Sequence, residues 1–181
     1  MPAGLQEVLR GAFEFVSERF RRRLVGITDA ELLWEPVAGC WTVRATPGGY
    51  RADNAAPPPD PAPVTTIAWR LAHIGNTLVR HPLREVAFGR RAGRDVAPDD
   101  PHDAAGALLF VDDAIRDWRY DLQSVKDARL LEPLGKRAGP FAKDPVVSFV
   151  LHVHTEFVHH TAEVALLRDL YRAGASRDEA R

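Results

Sequence analysis

A bundle of four long helices, with no sheet, is expected from this sequence on three grounds. Four stretches carry apolar residues at a period of about 3.6, each long enough for several turns. Clusters of Gly, Pro and Asp, which interrupt helices, separate them. No segment shows convincing alternation of apolar and polar residues, the mark of a half-buried strand. Helices that each carry one apolar stripe bury it against one another, and four of this length form a bundle.

The first helix is expected over residues 5–24, with Leu5, Val8, Leu9, Ala12, Phe13, Val16 and Phe20 at helical spacing and Gly26 as its stop. Thr28-Asp29-Ala30-Glu31 reads as a capping box that starts a short turn ending before Pro36. Residues 37–64 form a long connection rich in Gly and Pro with little regular structure expected, and such loops in compact domains are usually functional or disordered. Trp41 and Tyr50 favour a packed loop. Too few residues precede it to build a core of their own, so residues 1–181 read as a single domain.

The second helix starts at Thr65 or Thr66, a preferred cap, and runs to about residue 78–80 on the stripe Ile67, Leu71, Ile74 and Leu78. His81-Pro82 breaks it, with a short extension through Val86, and a turn-rich segment follows. The third helix is expected over residues 104–127, with Leu108, Leu109, Val111, Ile115, Trp118, Leu122 and Val125 as its apolar set. A loop carrying Pro133, Gly135, Gly139 and Pro140 leads to Asp144-Pro145, a favoured helix start. The fourth helix runs to about Arg172, with Gly174 as its stop and residues 174–181 as a flexible tail. The long connection over 37–64 points away from plain up-down-up-down wiring.

Lys and Arg number 24 against 25 Asp and Glu, so the chain lacks the basic footprint of a nucleic-acid or anionic-membrane binder. No run approaches the roughly 18 apolar residues that span a bilayer. The N-terminus has no apolar signal core, and a lone cysteine, Cys40, allows no internal disulfide. These features fit a soluble cytoplasmic protein, and the high Ala, Arg and Pro content suits a GC-rich bacterial genome. Pairing of exposed helix faces into a homodimer stays open.

The chemistry concentrates in the fourth helix. Phe149, Val153, Glu156, His160, Val164, Leu167 and Tyr171 fall on one face, so a carboxylate and an imidazole one turn apart interrupt an apolar stripe. Buried ionisable groups need partners, and a divalent ion is one. His152, His154, His159 and His160 lie within nine residues, although His-rich clustering is only compositional. A hydrogen-bonded surface pair would show the same four-residue spacing. A third ligand has to come from another helix, and His73 is the candidate. One feature stands against it: His73 lies off the second helix's stripe, beside Trp69, Arg70 and Thr77, so it serves only if that flank faces the fourth helix or a cleft roofed by the long loop. A ferritin-like two-iron site competes through Glu156-Phe-Val-His159, but that chemistry needs the motif on two helices, and the third helix offers only Asp112, Asp113 and Asp117. His81 and His102, beside prolines at helix ends, read as caps or surface residues, and Cys40 as a small packed residue.

TTIAWRLAHI, followed by EFVHHTAEVALLRDLY, together with TDAELLWEPVAGCWTVR after the first helix, resembles the DinB-like (DinB/YfiT) superfamily of metalloenzymes over nearly the whole chain. The likeness is closest to the branch near the mycothiol-dependent maleylpyruvate isomerases. It implies a four-helix bundle of non-trivial, right-handed connectivity with one divalent ion held by His73, Glu156 and His160. Many members carry His where Glu156 stands, and the mycothiol-dependent isomerases carry Glu. Thr161 and Ala162 stand where members often have Gly.

The resemblance further implies a small electrophilic substrate and a low-molecular-weight thiol such as mycothiol, in an S-transferase or isomerase. A hydrolase using activated water and a non-catalytic, metal-binding stress-response bundle are the other readings. Zinc is the first choice of ion, with nickel, iron and manganese also suited to N/O ligands. Arg70, Arg44 and Trp41 are candidates for holding the cofactor or substrate, with a solvated surface role as the alternative for each arginine. His159 is the candidate base beside the ion.

Overall fold

The computed structural model describes residues 3–89 and 99–178. Its elements in order are α1 (Leu5–Leu24), α2 (Asp29–Leu32), β1 (Val43–Thr46), β2 (Gly49–Ala52), α3 (Ile67–Arg80), α4 (Pro82–Phe88), α5 (Ala104–Ser124), α6 (Asp127–Leu131), a 3-10 turn (Lys136–Phe141) and α7 (Val146–Asp178). The four long helices α1, α3, α5 and α7 close a ring in which α3 and α1 each sit between α5 and α7.

Cross-helix contacts fix the directions. Arg70 reaches His160 while His81 meets Phe149 and His152, so α3 and α7 are antiparallel. Gln6 bonds to Leu122 and Arg21 to Asp112, so α1 and α5 are antiparallel too. Gly75 meets Phe110 and Arg84, in α4, reaches Asp121, which makes α3 and α5 parallel. The wiring is up-down-down-up, the departure that the long connection implied.

Helix ends follow their caps. Thr28 Oγ1 accepts from Glu31 N at 3.2 Å, one half of the expected capping box; the Glu31 carboxylate is bound by Arg168 instead of returning to Thr28. Thr66 Oγ1 accepts from Trp69 N at 3.3 Å at the head of α3. Asp127 accepts from the N–H groups of Leu5 and Gln6, so α6 caps α1.

Three expectations are corrected. The connection over 37–64 holds a hairpin in register Val43↔Ala52 to Thr46↔Gly49. Its strands are four residues each with burial patterns that do not alternate, so no period-2 signal exists to be read. It is held from outside: Trp41 N bonds Val64 O, Thr66 N bonds Trp41 O, and Asp53 N bonds Thr42 O. The third long helix stops at Ser124 because Val125 is extended and the chain restarts at α6. The last helix passes through Gly174 to Asp178, since a mid-helix glycine costs only about 1 kcal/mol relative to alanine and need not end it. Part of the turn-rich segment before α5, residues 90–98, and the last residues of the expected tail, 179–181, lie outside the described residues.

The core runs through Phe13, Phe20, Leu71, Ile74, Leu78, Ile115, Trp118, Phe149, Val153 and Phe157. Val8 and Leu109, assigned to apolar stripes, face solvent. No helix among the described residues is long and apolar enough to cross a membrane. His154, one of the clustered histidines, is half-buried and packs on the core: its ring stacks on Phe13 at 5.3 Å and meets Trp118 edge-on at 6.1 Å.

Burial drives the His154 pKa down to about 4. A group whose folded pKa lies below its unfolded value, about 6.5, loses stability as pH falls through that interval. Denaturant unfolding is therefore expected to show up to about 3 kcal/mol of acid sensitivity between pH ~6.5 and ~4 that His154→Phe removes. Identical pH profiles for the two proteins would contradict this.

Candidate functional site

The stripe Ile67, Leu71, Ile74 and Leu78 of α3 is turned into the core. Gly75 lets the Phe110 ring of α5 lie against the helix backbone. With α5 on that side, the flank carrying Trp69, Arg70 and His73 is left to face α7 and the hairpin. This resolves the objection to His73. Trp69 anchors the flank: its Nε1 donates to Asp53 O at 2.8 Å, and its ring stacks on His73 with centroids 5.1 Å apart. Trp41 leans on the far side of Trp69 at 5.9 Å.

On α7, Glu156 and His160 lie one turn apart and meet this flank. His73 Nε2 is 3.6 Å from Glu156 Oε2, and His160 Nε2 is 3.2 Å from the same oxygen. One ligand atom from each of the three residues lies within 4.8 Å of the others. A tetrahedral ion with bonds of about 2.0–2.1 Å has ligand atoms about 3.3–3.4 Å apart. The two contacts to Glu156 are close to the edges of such a tetrahedron and the two imidazole nitrogens lie within 4.8 Å of each other, so the group could hold one small divalent cation. The His73 and Glu156 side chains are 36% and 32% exposed, against 10% for His160, which leaves one side open for a further ligand.

Electrostatics suit the same use. Burial lowers the His73 pKa, and the neighbouring His160 and Arg70 lower it further against the pull of Glu156, so its lone pair is free near neutral pH. Burial pushes Glu156 up, but charge and hydrogen bonds from His160 and His73 outweigh it and hold the group below the ordinary carboxylate range. Metal ligands must be deprotonated, and the direction of both shifts, for His73 and for Glu156, favours that form.

A second tier adjoins the cluster. Glu163 Oε2 lies 2.6 Å from His160 Nδ1 and 3.1 Å from Arg70 Nε, and Arg70 Nη1 lies 3.1 Å from His160 Nδ1. Two hollows of about 340 Å³ each flank the site. One, by the hairpin, is polar and is lined by Asp53, Asn54, Trp69, His73, Asn76 and Asp100. The other lies between Val64, Arg70, Glu163, Leu166 and Leu167. A larger hollow of about 610 Å³ between α4, α5 and α6 contains neither His nor Cys and borders residues outside the description.

His73, Glu156 and His160 thus converge as expected. His159 is exposed, and its Nε2 lies 3.2 Å from Glu163 Oε1. Arg70 belongs to the cluster through Glu163 and His160. Arg44 is tied to Asp53 and to the carbonyl of Cys40, closing the hairpin. Trp41 backs the cluster through Trp69. His152 lies against His81 at 5.8 Å, outside the three-ligand group. His81 caps α4 by accepting from Leu83 N, and Cys40 is buried with Sγ against Val37 O. Glu163 is a member of this cluster that the sequence candidates above do not include. Its spacing, three residues past His160 and seven past Glu156, already placed it on their face.

The bundle carries, between two antiparallel helices, an imidazole–carboxylate group that could hold a metal ion. A family model described as the DinB superfamily matches residues 12–164, and the chain belongs to that superfamily. Comparison with curated proteins and with solved structures gave no significant match.

Proposed function

We propose that this protein is a divalent-metal-dependent enzyme in which His73, Glu156 and His160 hold one ion, and that it transfers or adds a low-molecular-weight thiol to a small electrophile. The observation that carries the metal reading is the fit of the 3.2 and 3.6 Å contacts around Glu156 to one tetrahedral ion. Two imidazoles, one carboxylate and an open side suit zinc first. When bound, such an ion lowers the pKa of a thiol or water ligand and polarises a carbonyl.

The chain's own groups set the boundaries of the reaction. Cys40 is buried, so the sulfur nucleophile comes from outside. Glu156 in a position where many relatives carry His favours the mycothiol-type branch. The polar hollow beside His73, with Asp53, Asn54, Asn76 and Asp100, suits a hydroxyl-rich or amide-bearing thiol, and the more apolar hollow beside Leu166 and Leu167 suits the electrophile. His159, joined to the cluster by Glu163 and open to solvent, is assigned the proton relay.

The test is a conjugation assay with mycothiol and a model electrophile, using metal-loaded and metal-stripped protein. Thiol loss that requires the ion and disappears in His73→Ala is expected. Ion-dependent ester cleavage without thiol would instead select the hydrolase reading. No turnover of either kind by protein that holds the ion would favour a binding role.

A further inference from the structure

We propose that Glu163, backed by Arg70, is a positioning residue that fixes His160 as its Nδ1–H tautomer and so keeps the Nε2 lone pair turned toward Glu156 and His73. The proposal rests on the metal reading given above. A neutral imidazole carries one proton, and only the nitrogen without it can be a ligand. Two groups contend for His160 Nδ1, and they demand opposite tautomers. Glu163 Oε2, 2.6 Å away, is acceptor-only when ionised and needs a proton on Nδ1. Arg70 Nη1, 3.1 Å away, is donor-only and needs a lone pair there.

On the other ring nitrogen, Glu156 Oε2 lies 3.2 Å from Nε2 and also calls for a proton while no ion is bound; the 2.6 Å contact to Glu163 is the shorter, and it decides. An anionic oxygen at 2.6 Å from an unprotonated nitrogen would set two lone pairs against each other. The proton therefore sits on Nδ1, where it makes a short charge-assisted bond. Arg70 stays paired with Glu163 as an ion pair, its Nε 3.1 Å from Glu163 Oε2 without the alignment of a hydrogen bond, and its permanent charge favours the ionised carboxylate. His160 is buried, so bulk water cannot set the tautomer in place of Glu163. Arg70 is thereby an internal counter-charge rather than a clamp for a substrate anion. Histidines that bind metal are commonly oriented in this way by a carboxylate on the other ring nitrogen.

Glu163→Gln keeps the shape and removes the charge that calls for a proton on Nδ1: one donor, the amide N–H₂ or the released Arg70 Nη1, then bonds to the single Nδ1 lone pair, which moves the proton to Nε2. The experiment has two readouts on the full chain. Long-range ¹H–¹⁵N spectra of metal-free protein at about pH 8, with His160 assigned through His160→Asn, report the tautomer. Competition with a chelating dye reports zinc affinity. The expected results are Nδ1–H in the wild type, Nε2–H in E163Q, and a 10–100-fold loss of zinc affinity in E163Q.

An Nε2–H signal for His160 in the wild type overturns the proposal without any variant. So does either readout moving without the other in E163Q, or neither moving. A wild type that takes up no zinc, or a His73→Ala variant that binds it as tightly as wild type, overturns the ligand reading instead, and the tautomer spectra then decide this inference alone.

Discussion

Single replacement of His73, Glu156 or His160 by alanine is expected to strip the protein of its divalent ion. The loss of affinity should exceed the roughly 10–100-fold typical of residues that only support a ligand. Each variant reduces three protein ligands to two, and two do not hold a labile ion well. The effect should be separable from stability. His73 and Glu156 are about one-third exposed, and trimming such side chains usually changes stability by no more than about 0.5 kcal/mol. Circular dichroism should therefore stay at wild-type helicity while elemental analysis falls from one ion per chain toward none. His159→Ala should retain the ion, because its polar contact is with Glu163. Unchanged metal content in His73→Ala would remove the α3 ligand from the account. Unchanged content in all three variants would remove the site.

The second large effect is on folding. Arg168 of α7 is fully buried and makes a two-pronged contact with Glu31 of α2, Nε to Oε1 at 2.5 Å and Nη2 to Oε2 at 3.0 Å. Its Nη1 donates to the carbonyls of Arg23 and Val25 at the end of α1. One side chain therefore joins three elements and satisfies carbonyls that a helix end leaves without partners. Arg168→Met strands the Glu31 carboxylate, 3% exposed in the wild type, with Arg172 at 3.9 Å as its other cationic neighbour among the described residues. Removing one partner of a buried pair costs about 3–5 kcal/mol, which for a chain of this size lowers Tm by about 10 °C. The double variant Glu31→Gln/Arg168→Met should recover part of that loss, because no isolated charge remains. Thermal unfolding of the three proteins checks it, and a single variant as stable as wild type would contradict it.

What could be read from sequence follows from which forces are local. Helix starts at Thr28 and Thr66 were legible because a cap is a short-range hydrogen bond. The hairpin over Val43–Ala52 was not, because long-range bonds to Val64 and Thr66 hold its edge rather than any pattern within it. His154 and His160 look alike in sequence, yet one packs its ring against Phe13 and Trp118 while the other meets α3. The angular offset between residues 154 and 160 on a helix is about 120°, so only the neighbours decide which of them is core. The flank of α3 that carries His73 was ambiguous for the same reason: its direction depends on Gly75 admitting Phe110, a contact between helices. Arg168 and Arg84 gave no sign of burial, since charged residues in apolar stripes are ordinarily placed at the surface.

The most direct test of the central claim is anomalous-difference density from crystals grown with zinc. The account predicts one peak within bonding distance, about 2.0–2.2 Å, of His73 Nε2, His160 Nε2 and a Glu156 carboxylate oxygen. Zinc bound elsewhere, with those three side chains joined only by hydrogen bonds, would contradict it.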